Sequence, residues 1–187
     1  VLNAADPMLV KHAEGKADQL AWFAGDWLDG AFSQAIRKGQ AVCAARDGQL
    51  CLIADGVQHD LGAIVNMPLS YQGLAHYNIE NMAGASLAAF LMGIAPEIIS
   101  TTLHRFGVNR QDNPGRLQSW QFADMHVLLD YAHNPEGMQG FLSIAKAFSR
   151  SGRLAVLLGQ AGNREDDDIR KLADSVAAFQ PNLVVLK

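Results

Sequence analysis

Hydrophobic and polar positions follow two different patterns along this chain. Residues 8–20 predict a helix, and residues 21–65 predict short strands, because Gly-Asp and Asp-Gly pairs repeatedly interrupt their apolar runs. Residues 81–93 are rich in Ala, Leu and Met and predict a buried helix. A second helix is predicted from Pro96 to Phe106, because proline favours the first helical position.

From residue 110 onwards, short apolar runs alternate with helical patterns. Strands are predicted at 127–129, 154–158 and 183–186, and helices at 135–149 and 166–179. This alternation is typical of a parallel sheet with crossover helices. We therefore expect an α/β protein with two domains, residues 1–109 and residues 110–187, joined by the polar stretch 110–114. The abrupt start at Val1 and the end just after a predicted strand favour a fragment of a longer chain.

Composition restricts the class of protein. Hydrophobic residues make up 49% and charged residues 18%, which supports a folded core and excludes intrinsic disorder. The net charge of −4 argues against a dedicated nucleic-acid binder. The apolar stretch 82–94 is shorter than the ~18 residues of a membrane span, and residues 1–10 show no secretory signal. We expect a cytoplasmic protein without nucleic-acid or membrane partners.

Two cysteines flank the Asp-Gly pair at 47–48, which predicts a two-residue hairpin turn. That turn places Cys43 opposite Leu52. Cys51 then lies opposite Ala44. Because side chains alternate along a strand, the two thiols face opposite sides of the ribbon. This register suits neither a disulfide nor a two-cysteine metal site, so we expect no metal ligands here.

Polar residues that could bind a ligand follow the predicted strand 127–129. Asp130 offers an acceptor for a ribose hydroxyl, Tyr131 a stacking face and His133 a titratable donor, at the edge of the sheet where ligands collect. A plainer interpretation is that Asp130 and Asn134 cap the following helix. For Asn134 the capping interpretation is favoured.

Four further candidates lie elsewhere in the chain. The loop 159–164 contains glycine and opens a helix, but the acids at 165–168 satisfy the helix dipole themselves, so a plain turn and an anion site are equally favoured. Arg116 follows a glycine near the domain junction and is either an anion ligand or a solvated surface residue. Asn78 is expected to cap a helix. Asn81 is unusual inside a first helical turn, because asparagine is a poor helix former.

Five segments, taken in order, resemble the motifs of the Mur ligase superfamily of ATP-dependent amide-forming enzymes. The matching segments are 1–7 (V-x-N-A-D-D-P in the family), 73–81 (a helix start with paired asparagines), 113–117 (G-R-[LMF]), 130–135 (D-Y-A-H-[TN]-P) and 159–164 (G-x-x-G-[DN]-R). The Asn-Pro form of the fourth segment, the 113–117 junction and the terminal Val-Val-Leu-Lys are most similar to the Mur-like portion of cyanophycin synthetases.

The resemblance implies a three-domain enzyme whose central domain binds ATP and whose Rossmann-like C-terminal domain closes over it. Residues 1–109 would be the back half of the central domain, and residues 110–187 a truncated C-terminal ligase domain. By analogy, Asn78 and Asn81 would contact the adenine, and Arg116 would contact the terminal phosphate. Asp130 would bind the ribose, and Tyr131 and His133 would line the ribose pocket.

The implied reaction activates a carboxylate as an acyl phosphate, which the amine of an amino acid then attacks. ATP and Mg²⁺ are the implied cofactors. The implied partners are an amino acid and a carboxylate-bearing peptide or polymer, and a homo-oligomer is a further possibility. Addition of arginine or lysine to an aspartate side chain is favoured, with a UDP-muropeptide ligase or a non-catalytic nucleotide-binding or assembly module as alternatives. The family's phosphate loop and metal ligands lie upstream of segment 1–7, so this chain alone is expected to be inactive. Ala5 stands where the family has an acid.

Overall fold

A computed structural model describes residues 1–13, 15, 20–149, 152–159 and 165–187. These residues form two compact units, Val1–Val108 (unit 1) and Asn109–Lys187 (unit 2). Within the described ranges, no helix combines the length and the apolar character needed to cross a membrane.

In the part of the chain that the structure describes, unit 1 is built on a five-stranded sheet with the strand order β1-β2-β3-β4-β5. Strands β1 to β3 are parallel, and β3 to β5 form an antiparallel meander. Its elements are β1 (Leu2–Asn3), α1 (Pro7–Ala13), β2 (Trp22–Asp26), α2 (Asp29–Arg37), β3 (Val42–Arg46), β4 (Gln49–Ala54), β5 (Val57–Ala63), α3 (His76–Leu91) and α4 (Pro96–Arg105), with short 3-10 helices at Ile64–Asn66 and Pro68–Ser70.

Both faces of this sheet are covered, because consecutive side chains of a strand point to opposite sides. On β3, Val42 belongs to the cluster around Phe32 of α2, whereas Cys43 belongs to the larger cluster that includes α3. Helix α3 lies close to β2: a Cβ atom added to Gly84 would come within 3.2 Å of the Phe23 ring. The absence of a side chain at Gly84 therefore sets how near α3 lies to the parallel strands.

The hairpin predicted around residues 47–48 is confirmed. Asp47 and Gly48 have φ angles of 51° and 77°, and positive values at both central positions are what a type I′ turn requires. This backbone geometry matches the twist of the flanking strands β3 and β4, so the two strands pair directly from the turn outwards.

The register predicted for the cysteines is also confirmed. Cys43 pairs with Leu52, and Cys51 pairs with Ala44. Both thiols are free and buried. Burial is the main cause that raises the pKa of each thiol, so both are held in the neutral, unreactive form.

Helix α2 contradicts the expectation that residues 21–65 contain only strands. Phe32, Ala35 and Ile36 recur at helical spacing and pack on the sheet, which makes α2 amphipathic. The Asp29-Gly30 pair, interpreted as a turn, instead begins this helix.

Two helix boundaries also differ from the predictions. Helix α1 ends at Ala13, and the end predicted for it falls partly on residues 14 and 16–19, outside the described residues. Helix α3 begins at His76 rather than at residue 81. The expectation that Asn78 caps this helix is therefore wrong: Ala75 holds the N-cap position, and Asn78 lies inside the first turn.

Unit 2 combines an antiparallel hairpin with a parallel pair of strands. Its elements are β6 (Gln118–Phe122), β7 (Met125–Leu129), α5 (Pro135–Ser149), β8 (Ala155–Leu158), α6 (Asp166–Ala177) and β9 (Leu183–Leu186). Strands β8 and β9 are parallel and joined by α6, as predicted. Met138 and Leu142 of α5 pack with Val156 of β8 and Val176 of α6 in its core.

Strand β6 was not predicted, and it changes the pairing expected for residues 127–129. In the described residues, β7 pairs with β6 in antiparallel fashion rather than joining a parallel sheet. The sequence of β6, Gln-Ser-Trp-Gln-Phe, carries no continuous apolar run, so its pattern alone does not indicate a strand. A tight turn, in which Ala123 has a φ angle of 50°, leads from β6 directly into β7.

Two glycine substitutions in unit 1 are expected to change stability in opposite directions. Gly48→Ala forces an L-residue into the left-handed region and should lower the free energy of unfolding by about 1–2 kcal/mol. Gly30→Ala, in α2, should raise it by up to about 1 kcal/mol, because alanine is the better helix former. No atom lies within 4 Å of either added Cβ, so backbone conformation alone distinguishes the sites. Urea unfolding followed by circular dichroism measures both changes, and a shift of the same sign in both variants would contradict the prediction.

Candidate functional site

Two loops of unit 2 meet at one end of the β6–β7 hairpin. The backbone N–H of Leu117 donates a hydrogen bond of 2.7 Å to the carboxylate of Asp130. The guanidinium carbon of Arg116 lies 5.5 Å from the centre of the Tyr131 ring. The structure thus brings the 115–117 junction and the 130–134 loop together, although twelve residues separate them in sequence.

The strand register explains this meeting. Gln118, the first residue of β6, pairs with Leu129, the last residue of β7. In an antiparallel pair, the residue before one strand and the residue after the other are neighbours. Leu117 and Asp130 occupy those two positions, so the hairpin places the Leu117 N–H next to the Asp130 carboxylate.

The junction loop has an unusual backbone. Gly115 and Leu117 have φ angles of 76° and 43°. A left-handed conformation costs a residue such as leucine about 1–2 kcal/mol. The Leu117 side chain is buried, and its N–H is bonded to Asp130, and these two interactions offset the cost. Arg116, between the two left-handed residues, is exposed.

Asp130 is half-buried and surrounded by donors. Burial raises the pKa of its carboxyl group, and this effect is opposed by the N–H of Leu117, by the positive charge of Arg116 and by the N–H of Ala132. A carboxylate has about four lone-pair positions, so two backbone hydrogen bonds leave capacity for a further donor such as a hydroxyl group. The geometry therefore suits Asp130 to binding a sugar hydroxyl.

Tyr131, His133 and Asn134 continue the loop. The Tyr131 side chain is 60% exposed, and its ring meets the His133 ring edge-on, with 5.9 Å between centroids. Nδ1 of His133 lies 3.2 Å from the Tyr131 carbonyl oxygen. The side-chain oxygen of Asn134 accepts a 2.7 Å hydrogen bond from the N–H of Gly137, which confirms that Asn134 caps α5. Two rings are thus presented beside the carboxylate, ahead of a capped helix.

The asparagine candidates lie in unit 1, on α3. The side-chain Nδ2 of Asn78 donates a 2.9 Å hydrogen bond to the Leu69 carbonyl, which ties the start of α3 to the preceding 3-10 helix. Asn81 is exposed and lies one turn further along, on the same face. The side-chain oxygen of Asn78 and the side-chain amide of Asn81 are both polar groups on this face.

The first motif-like segment has structural roles that the sequence did not reveal. The carboxylate of Asp6 accepts hydrogen bonds of 2.8 and 3.3 Å from the N–H groups of Met8 and Leu9, so it caps α1. The side chain of Asn3 donates to the carboxylate of Glu80, between the two asparagines of α3. Asn3 and Glu80 therefore connect the edge strand β1 to the helix that carries Asn78 and Asn81.

Sequence reasoning did not single out Glu80 or Gln118, which support the candidate residues. A glutamate between two helical asparagines and a glutamine at the start of a strand carry no signal of their own. The predicted loop 159–164 falls mostly outside the described residues, which include Gly159 but not 160–164. Among the described residues, no three His, Cys, Asp or Glu side chains come together as a metal site.

Comparisons with known proteins agree with the resemblance inferred from the motifs. Residues 115–186 match the family model described as Mur ligase, glutamate ligase domain. A cyanophycin synthetase of Geminocystis herdmanii is 28% identical over 185 residues, which are 99% of this chain and 21% of that protein. A UDP-N-acetylmuramoyl-L-alanyl-D-glutamate–2,6-diaminopimelate ligase of Nostoc sp. is 31% identical over 108 residues, or 56% of this chain and 21% of that protein. The chain thus spans about a fifth of the length of these relatives.

The fold is confirmed by a solved structure. The murein peptide ligase of Psychrobacter arcticus superposes with a TM-score of 0.53 at 14% identity, covering 90% of this chain and 44% of that protein. The α/β fold and the resemblance to Mur ligases are both as predicted.

Asp130→Asn is expected to remove a pH dependence of the stability of unit 2. Because burial raises the carboxyl pKa above its ordinary 3.8, the folded unit retains a proton that the unfolded chain has already released. The stability of the wild type should therefore fall, relative to the variant, as pH rises from about 4 through the raised pKa, and then level off. Urea unfolding at a series of pH values measures this difference. Asp124→Asn, at an exposed aspartate in the β6–β7 turn, controls for the loss of one charge, and a difference that rises with pH would contradict the prediction.

Proposed function

We propose that this chain carries nucleotide-binding residues of an ATP-dependent, amide-forming ligase. The observation that carries the proposal is the hydrogen bond between Leu117 and Asp130, which holds a cation, a carboxylate and two rings side by side in unit 2. The match of residues 115–186 to the Mur ligase model supports it, as does the similarity to cyanophycin synthetases along 99% of the chain.

Each candidate residue has a role suited to its chemistry. A guanidinium group presents paired N–H donors that match phosphate oxygens, and Arg116 is exposed for such a contact. The half-buried carboxylate of Asp130 accepts a hydrogen bond from a ribose hydroxyl. The remaining proposed roles are the lining of the ribose pocket for Tyr131 and His133, and adenine contacts for Asn78 and Asn81.

The proposed reaction has two steps. A substrate carboxylate oxygen attacks the terminal phosphorus of ATP, which forms an acyl phosphate and releases ADP. The amine of an amino acid then attacks the acyl carbon, and phosphate leaves as the amide forms. Arg116 stabilises the negative charge on the transferred phosphoryl group, which is the main electrostatic demand of such a step. Within the described residues, no group of three or more His, Cys, Asp or Glu side chains is placed to hold a metal ion, and we assign no Mg²⁺ ligand among them.

For the substrates, we propose that a basic amino acid, arginine or lysine, is joined to an aspartate side chain of a cyanophycin-type polymer. The similarity to cyanophycin synthetases over almost the whole chain favours this choice. A second candidate is a peptidoglycan-type ligase acting on a UDP-muropeptide, which is favoured by the 31% identity to a diaminopimelate ligase over 108 residues.

ADP release by the intact gene product that contains this chain tests the proposal. With ATP, Mg²⁺ and arginine, release is expected to depend on a cyanophycin primer. Arg116→Ala should lower the rate about a hundredfold or more, because a charge-stabilising donor is lost from the transition state. Arg153→Ala, at an exposed arginine of the same unit, is the matched control and should leave the rate unchanged.

The other outcomes of the same assay separate the candidates. Release with a UDP-muropeptide, but not with the primer, would favour the peptidoglycan-type ligase. If neither acceptor supports release, the ligase proposal fails, and a non-catalytic nucleotide-binding or assembly module takes its place.

Discrimination between ATP and 2′,3′-dideoxy-ATP tests the role of Asp130. If the carboxylate accepts a ribose hydroxyl, the wild type should have a KM about 10–100-fold lower for ATP, as expected for a hydrogen bond to a charged group. Asp130→Asn retains an oxygen that can accept from Leu117, and it should reduce this preference severalfold or more. An unchanged preference in the variant would show that Asp130 does not bind the ribose.

A further inference from the structure

The side chain of Gln118 bridges the two ends of the loop that precedes Arg116. Its Oε1 accepts a 3.0 Å hydrogen bond from the N–H of Gly115. Its Nε2 donates a 2.9 Å hydrogen bond to the carbonyl of Arg110. One side-chain amide therefore spans the two ends of the 110–115 segment, immediately before the exposed arginine.

Two further contacts stabilise the same loop. The N–H of Arg116 donates to the carbonyl of Asn113 at 3.2 Å. The guanidinium carbon of Arg110 lies 5.2 Å from the centre of the Trp120 ring, so the start of the loop also rests on β6. The loop is thus fastened to the strand that begins at Gln118, while the Arg116 side chain projects from its far end.

The conformation held in this way is one that the backbone does not favour by itself. Leu117, like Gly115, has a positive φ angle, which is costly for a residue with a side chain. The Leu117 N–H is bonded to Asp130, and the Gly115 N–H is bonded to Gln118. The two hydrogen bonds thus hold the residues on either side of Arg116.

We propose that Gln118 is a positioning residue, which sets the loop conformation and thereby the place of the Arg116 guanidinium over the Tyr131 ring. The part of this proposal that concerns phosphate transfer rests on the proposed function. An amide is required because it carries a donor and an acceptor at one end of the side chain. Glutamate keeps the acceptor for Gly115 but loses the donor, and methionine keeps the length but loses both.

The first experiment measures the position of Arg116 without any activity. In the 187-residue chain, stacking on Tyr131 should displace the side-chain NMR resonances of Arg116 from their values in an unstructured peptide. Gln118→Met is expected to return these resonances to the peptide values, and Gln118→Glu to shift them part of the way. Gln121→Met is the matched control, because Gln121 lies on the same strand, is exposed, and bonds only to the nearby Ala123 carbonyl in the contacts seen for it.

The control should leave the Arg116 resonances in place. If Gln118→Met also leaves them in place while the chain remains folded by circular dichroism, the proposal is overturned. If Gln118→Met unfolds the chain, Gln118→Glu decides the question, because this variant keeps the hydrogen bond from Gly115.

The second experiment tests whether Gln118 acts through Arg116 in catalysis. Gln118→Met is expected to lower kcat for ADP formation by about tenfold to a hundredfold, with a smaller change in the KM for ATP, since a misplaced group mainly loses transition-state contacts. In an Arg116→Ala background, the same substitution should cause little further loss. A full, additive loss in that background would overturn the positioning role.

The two experiments distinguish the proposals from each other. If the wild type forms no ADP with either acceptor, the proposed function fails, and the NMR result alone decides whether Gln118 places Arg116. If the wild type is active but the effects of the Gln118→Met and Arg116→Ala substitutions on kcat are additive, the proposed function stands and the role of Gln118 in it is wrong.

Discussion

The hydrogen bond between the Leu117 amide and the Asp130 carboxylate is the contact on which the candidate site of unit 2 depends. It joins a loop before β6 to a loop after β7, and it compensates a strained backbone at one end and a desolvated carboxylate at the other. If the bond is lost, the half-buried carboxylate of Asp130 and the left-handed backbone of Leu117 each lose one of the interactions that stabilise them. The costs of the two groups are therefore coupled through one hydrogen bond.

Coupling of this kind also determines the electrostatics around Arg116. Burial alone favours the protonated form of Asp130, whereas the nearby amides and the guanidinium favour the carboxylate. Because the opposing effects come from residues 116, 117 and 132, the charge on Asp130 depends on the conformation of both loops. A movement of the 115–117 loop would change the charge balance at Asp130, where we propose that a ribose hydroxyl binds, as well as the position of the arginine.

The predictability of each feature follows from the range of the interactions that create it. The β3–β4 turn and the cysteine register were predicted correctly, because an Asp-Gly pair determines both within a few residues. The composition of the 130–134 loop was likewise visible as a run of polar residues after an apolar strand. Helix α2 was missed because a Gly-Asp-rich segment resembles a turn until the sheet that buries Phe32 is known.

The sequence pattern fails to predict strand β6 for a similar reason. Without β6, the contacts of the loop before it cannot be predicted either. Its polar sequence becomes a strand only when paired with β7, so the approach of Leu117 to Asp130 could not be inferred from spacing. The roles of Gln118 and Glu80 were hidden in the same way, since each depends on a partner brought near by the fold. The sequence pattern predicts a later start for α3 and hence a cap at Asn78, whereas the helix begins at His76.

The pairing of Gln118 with Leu129 also constrains how this region can evolve. Side chains alternate along a strand, so deletion of one residue within β6 or β7 would turn the rest of that strand over and carry Leu117 past Asp130. Substitutions at exposed positions of the hairpin leave this relation intact, whereas changes in strand length do not. Across homologues, the number of residues between the arginine and the aspartate should therefore vary less than the identities of the residues that fill the interval.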